Sequence, residues 1–132
     1  MSDEATAALD STVIKGAAES VSSTPAETDI LTLVRHTASK RILHLPHALR
    51  QMSRLDRMIT VAEVRSVIEV GEIIEDYPED RRGHSCLMLG FGRDGRPLHV
   101  NCAPKDDYLA IITAYPPDDK HWEPDFKTRR KS

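Results

Sequence analysis

The sequence predicts an α+β fold, with a short N-terminal strand and two helices packed on one face of an antiparallel four-stranded meander. Two stretches, "PHALRQMSRLDRM" and "TVAEVRSVIEVG", carry apolar residues at helical spacing between start and stop signals. Four β-prone runs follow: "EIIEDY", "HSCLMLGF", "RPLHVNCA" and "YLAIITAY". They are joined by the short turn-rich links "PEDRRG", "GRDG" and "PKDD". Links this short make consecutive hairpins, and the helices are left to cover one face of the sheet.

Each element has its own local reason. Residues 1–27 are rich in Ala, Ser, Thr and Glu without a sustained apolar period, and read as a disordered acidic tail. Residues 28–40 read as a short helix or linker, with Thr28 or Asp29 as cap and Ile30, Leu31, Leu33 and Val34 as an apolar cluster. The α+β domain is assigned to residues 41–132, and "KRILHL" supplies its first strand. Pro46 suits the first turn of a helix, where a missing N–H costs nothing. That helix is predicted to reach Met58, with Leu45, Leu49, Met52 and Leu55 on its core side and Arg50, Arg54 and Arg57 outside. Thr60 and Glu63 have capping-box spacing, Val61, Val64, Val67 and Ile68 form a stripe, and Gly71 is the stop.

Strand phasing turns the meander into two faces. A four-residue loop, Gly92 to Gly95, sets Phe91 opposite Arg96, Leu89 opposite Leu98 and Leu87 opposite Val100. The predicted core face is then Leu87, Leu89, Phe91, Leu98, Val100 and Cys102, joined by Leu109 and Ile111. The other face carries His84, Cys86, Met88, His99 and Asn101, open to solvent or a partner. Tyr115 falls on the core side. Cys86 and Cys102 point apart, which argues against a disulfide or a shared metal site.

Composition limits the classes of function. The chain has 132 residues, 39% hydrophobic and 30% charged, which suits one soluble domain. No apolar run approaches the roughly 20 residues of a membrane span. The acidic start "MSDEATAALD" is unlike a secretory signal, so a cytoplasmic location is expected. Residues 1–39 hold two basic against six acidic residues, and the remainder 16 against 15. A near-neutral domain has no general pull on nucleic acid, so any RNA site must be a local patch.

The fragments "GEIIEDYPED", "GHSCLMLG", "GRPLHVNCA", "LAIITAYPPD" and "WEPDFKTRR" together resemble the bacterial domain-of-unknown-function 4258 family, over roughly Arg41 to Arg130. His47-Ala48 matches the pair that opens the family's helix. Gln51-Met52 stands where Arg-Met is usual, and Arg57-Met58-Ile59 lies two residues beyond the usual Arg-x-Ile. The family's strand-helix-helix-meander order is similar to the BrnT and RelE toxin folds. By that fold analogy the resemblance implies a toxin-like, metal-independent endoribonuclease held in check by an antitoxin-like protein partner.

Such cleavage needs a base for the 2′-hydroxyl, an acid for the leaving oxygen and cations around the phosphate. His47 and His99 suit the base or acid, since imidazole titrates near neutral pH. Arg57, Arg96 and Lys105 suit the phosphate, Tyr115 can donate a proton, and Arg129 and Arg130 in the basic end can touch RNA. Each has a plainer reading. His47 can fix a strand-to-helix junction, Arg96 can be a solvated turn residue, and Trp122 beside His121 can dock the C-terminal segment. The sequence holds no GxxxxGK[ST] loop, HExxH or CxxC, so no metal or cofactor is expected. The alternative to an enzyme is a non-catalytic interaction module that uses the open sheet face.

Overall fold

In the computed structural model, which describes residues 29–131, the Asp29 carboxylate accepts from the Thr32 N–H and starts α1 (Ile30–Lys40). This helix, within the residues 28–40 read as a short helix or linker, buries Ile30 and Val34 in the common core. The expectation of an acidic disordered tail falls outside the described residues. β1 (Ile42–His44), α2 (Pro46–Met52) and α3 (Val61–Val70) follow, then β2 (Glu72–Tyr77), β3 (Ser85–Phe91), β4 (Pro97–Pro104) and β5 (Leu109–Tyr115). Among the described residues the fold is α+β: three helices and a five-stranded sheet in the order β1-β5-β4-β3-β2. The four-stranded meander is present, and β1 extends it by pairing parallel to β5. No described helix is long and apolar enough to cross a membrane.

α2 stops at Met52, not Met58. The Ile59 N–H donates to the Met52 carbonyl, and Met58 takes a left-handed φ of 50°, so the chain doubles back. Ala48 and Met52 face the core, while Leu49 and Leu55 stay outside, Leu55 89% exposed. α3 has the predicted reciprocal cap between Thr60 and Glu63 and the Gly71 stop. Val64, Val67 and Ile68 are buried, whereas Val61 is exposed. Helix and sheet meet closely at Gly90, where a Cβ would lie 2.8 Å from Val67 Cγ2.

The hairpin between β3 and β4 departs from the predicted register. Phe91 faces Pro97, Leu89 faces His99, Met88 faces Val100 and Cys86 faces Cys102. The loop therefore holds five residues, Gly92 to Arg96, closed by the Gly92 N–H to Arg96 carbonyl bond of 2.8 Å. Asp94 and Gly95 supply its left-handed turn at φ 56° and 72°. An odd loop in place of an even one moves every side chain of β3 to the other face.

Glu63 explains the fifth residue. Its buried carboxylate accepts from the Thr60 and Arg93 backbone N–H groups and from the Arg96 guanidinium, at 2.8–3.3 Å. Arg96 donates onward to the carbonyls of Arg57 and Met58. It is thus pulled into the loop as a staple between the hairpin, α3 and the α2–α3 connection. The helix-facing side of the sheet becomes Cys86, Met88, Leu98, Val100 and Cys102, with Leu109, Ile111 and Ala114 from β5. Cys86 and Cys102 share that face, 3.8 Å apart, unbridged and fully buried. The neighbouring Cys86 thiol and burial push the Cys102 thiol well above its ordinary value.

Neither cysteine should react with an alkylating agent in the native state, and both should react on unfolding; rapid labelling of Cys86 alone would contradict the register. Burial alone would raise the Glu63 pKa, but the Thr60, Arg93 and Arg96 hydrogen bonds outweigh it and hold it at about 2 against an ordinary 4.5. The stabilisation is therefore complete above about pH 4.5 and is lost as pH falls toward 2. Glu63→Ala should cost about 3 kcal/mol at pH 7, the scale of a broken buried ion pair. The combined Glu63→Ala, Arg96→Ala variant should cost less than the sum of the two, measured by denaturant melts.

Candidate functional site

The face of the sheet turned away from the helices is polar at its centre. β4 places His99 and Asn101 there, β2 adds Glu75 and Tyr77, and β5 adds Thr113 and Tyr115. Tyr115 reaches this face because pairing slips between Asn101 and Cys102, a bulge that re-aims the end of β5. Without it Tyr115 would take the core side, as the regular alternation predicted.

This face is not open. Residues 116–131 run back across it and carry Trp122, 4% exposed, onto His99, which is 0% exposed. The two rings meet edge to face, their centroids 4.4 Å apart. The covering segment is shaped by its own polar turns: Asp118 accepts from the Lys120 and His121 N–H groups, and Asp125 from those of Lys127 and Thr128. Lys127 pairs with Glu72, and Trp122 bridges to Arg129. Trp122 thus docks the C-terminal segment, as its apolar ring in a polar stretch suggested.

Hydrogen bonding fixes the state of His99. Its Nε2 lies 2.7 Å from the Phe126 carbonyl, which can only accept, so Nε2 carries the proton. Nδ1 is then the acceptor that faces the Tyr115 hydroxyl at 3.3 Å. Burial holds the imidazole below its ordinary value, partly opposed by the Phe126 carbonyl and Glu75. His99 is therefore a neutral base in a dry setting. Burial likewise raises Tyr115, which keeps its proton at neutral pH.

Glu75 and Arg129 close the cluster. Arg129 donates to both carboxylate oxygens of Glu75, at 2.8 and 3.0 Å, and lies over the Trp122 ring at 4.7 Å. Those hydrogen bonds lower Glu75 against the opposing effect of burial, so it is ionised. Tyr77 also donates to Glu75; burial and that contact push its phenol up to about 12. Arg57 keeps a buried Nη1 without a hydrogen-bond partner among the described residues, and its charge reaches Tyr115.

Of the eight residues singled out in the sequence, His99, Tyr115 and Arg129 come together here, with Arg57 in electrostatic reach. The others do not join them. His47 is exposed on α2, which packs against the helix-facing side, so the sheet separates it from His99. Arg96 is spent on Glu63. Lys105 donates to the Arg82 carbonyl, and Arg130 binds the Asp119 carbonyl and Glu123. His84, expected on the open face, pairs with Asp76. Glu75 and Tyr77 were missed, although their two-residue spacing in "EIIEDY" puts them on one face.

The imidazole of His99 should titrate below 6.5 by NMR, and Trp122→Ala should move it up toward that value as the ring gains water. A wild-type value above 6.5 would contradict the dry, neutral setting.

The family model described as "Domain of unknown function (DUF4258)" matches residues 45–116. No curated protein and no solved structure has significant similarity to the chain. The matched stretch is narrower than the Arg41–Arg130 span of the resembling fragments. It takes in α2, α3 and the whole meander, with Arg57, Glu75, Tyr77, His99 and Tyr115. α1, β1 and most of the covering segment, with Trp122 and Arg129, lie beyond it. With more than half of its length matched in one run, the chain belongs to the DUF4258 family.

Proposed function

We propose that the domain is a metal-independent endoribonuclease of the toxin type, neutralised by an antitoxin-like protein partner. The observation that carries this is the meeting of imidazole, phenol, carboxylate and guanidinium at His99, Tyr115, Glu75 and Arg129 on one face. Neutral His99 takes the proton of a 2′-hydroxyl at Nδ1. The 2′-oxygen bonds to phosphorus, the bond to the 5′-oxygen breaks, and Tyr115 gives that oxygen its proton. The products are a 2′,3′-cyclic phosphate and a 5′-hydroxyl. Arg129 and Arg57 balance the phosphate charge, while Glu75 orients Arg129. Access requires the covering segment to move aside, so the described arrangement is the closed state. The analogy drawn from the order of elements to the BrnT and RelE toxin folds points the same way.

The test is RNA cleavage by purified, partner-free protein at low salt, with cyclic-phosphate ends as the product. Tyr115→Phe should slow cleavage by about 100-fold or more, the usual loss of a general acid. Trp122→Ala should speed it by loosening the cover, and His47→Ala should leave it unchanged. Intact RNA with both the wild type and Trp122→Ala would overturn the proposal.

A second reading, a non-catalytic interaction module, is favoured by one feature: His99, Tyr115, Glu75 and Arg129 are already hydrogen-bonded to protein partners. The C-terminal segment lies over His99 on the His84–Asn101 face, so docking there also requires that segment to move aside. Intact RNA would make this reading the better one.

A further inference from the structure

A second polar site lies on the other side of the sheet, where α3 passes over the edge strand β1. The groove there has a volume of about 470 Å³ and is lined by Ile42, Val61 and Ala62 among the apolar residues and by His44, Arg65 and Glu69 among the polar ones. A neighbouring hollow of about 260 Å³ shares Ile42, Arg65 and Glu69 and continues toward α1. Volumes in this range suit small molecules.

The polar groups of the groove are unequally used. Nε2 of His44 is buried without a hydrogen-bond partner among the described residues. A buried ring nitrogen with no partner is costly unless something outside the chain meets it. Arg35, which lines the neighbouring hollow, spends its donors on the Ile68 and Gly71 carbonyls at the end of α3. Arg65 is exposed on the outer side of α3, and Glu69 follows it one turn on. Burial, and next the charge of Arg65, lower the His44 pKa, so the ring beside Arg65 is neutral at pH 7. A neutral imidazole whose Nε2 is free to carry the ring proton and the neighbouring guanidinium can offer two donors beside the apolar residues of the groove.

We propose that this groove binds a small molecule with one oxyanion, a carboxylate or a phosphate, on Arg65 and His44 Nε2, and an apolar body along Ile42 and Val61. Glu69 limits the charge the groove accepts, which favours a single small anion over an extended polyanion. The site is independent of the ribonuclease reading, because Ile42 and His44 lie on the helix side of the sheet and His99 on the opposite one.

The test is an NMR titration of the full chain at constant ionic strength with acetate, hexanoate and inorganic phosphate in turn. The His44 ring and Arg65 side-chain signals should shift saturably, with a Kd on the order of 1 mM for the best probe. Tighter hexanoate than acetate is expected from the apolar wall, and the rank of phosphate against hexanoate separates phosphate esters from carboxylates. Arg65→Ala should weaken binding at least tenfold, and Glu69→Gln should tighten it, in variants whose melting is unchanged. No saturable shift with any of the three probes, or equal affinity in Arg65→Ala, would overturn the site.

Discussion

Glu63 sits at the end of α3 nearest the β3–β4 hairpin, and its carboxylate ties three parts of the chain together. Thr60 is bound through the helix cap, Arg93 through its backbone and Arg96 through its guanidinium. Since Arg96 also holds the Arg57 and Met58 carbonyls, the α2–α3 connection is fixed to the same point. Both charges are largely withdrawn from water, and each is met by several hydrogen bonds, the condition under which a buried pair is tolerated. The five-residue loop follows from this anchoring, and the loop sets the register of β3 against β4. The register decides which side chains meet the helices and which meet the covering segment. Leu87 and Leu89 share the His99 side of the sheet, and Cys86 and Met88 meet the helices, because Arg96 lies against Glu63.

Much of the fold was legible because its signals are local. The capping box at Thr60 and Glu63, the stop at Gly71, Pro46 at a helix start and the turn-rich links of the meander each act within a few residues. What was not legible depends on distant partners. The parity of the β3–β4 loop rests on Glu63, about thirty residues earlier, and one residue there turns every β3 side chain to the other face. The bulge opposite Cys102 leaves no mark in "LAIITAY", yet it moves Tyr115 to the His99 side. The end of α2 is set by Ile59 turning back to Met52, against an apolar pattern that continues to Leu55. In the site, His99, Tyr115 and Arg129 were readable as residue types, whereas their meeting was not.

The family match places the polar face and its cover in different parts of the chain. Glu75, Tyr77, His99 and Tyr115 belong to the matched stretch, and the residues that close over them follow it. The covering segment rests on one aromatic contact, one carbonyl bond and a few ion pairs, two of which, Lys127–Glu72 and Arg129–Glu75, have at least one partner mostly in water. Partly exposed pairs of this kind add little, so Trp122 and the Phe126 carbonyl carry most of the attachment. The proposed ribonuclease activity requires a segment held that way to lift without unfolding the sheet beneath it.

The central claim is that the Glu63-anchored loop puts Leu87 and Leu89 beside His99 on the covered face. Cross-strand and ring NOEs in the full chain test it most directly. The expected result is Leu89 facing His99 across the β3–β4 pair, with the His99 ring in contact with the Trp122 indole. Leu89 facing Leu98, with no NOE between the His99 and Trp122 rings, would contradict it.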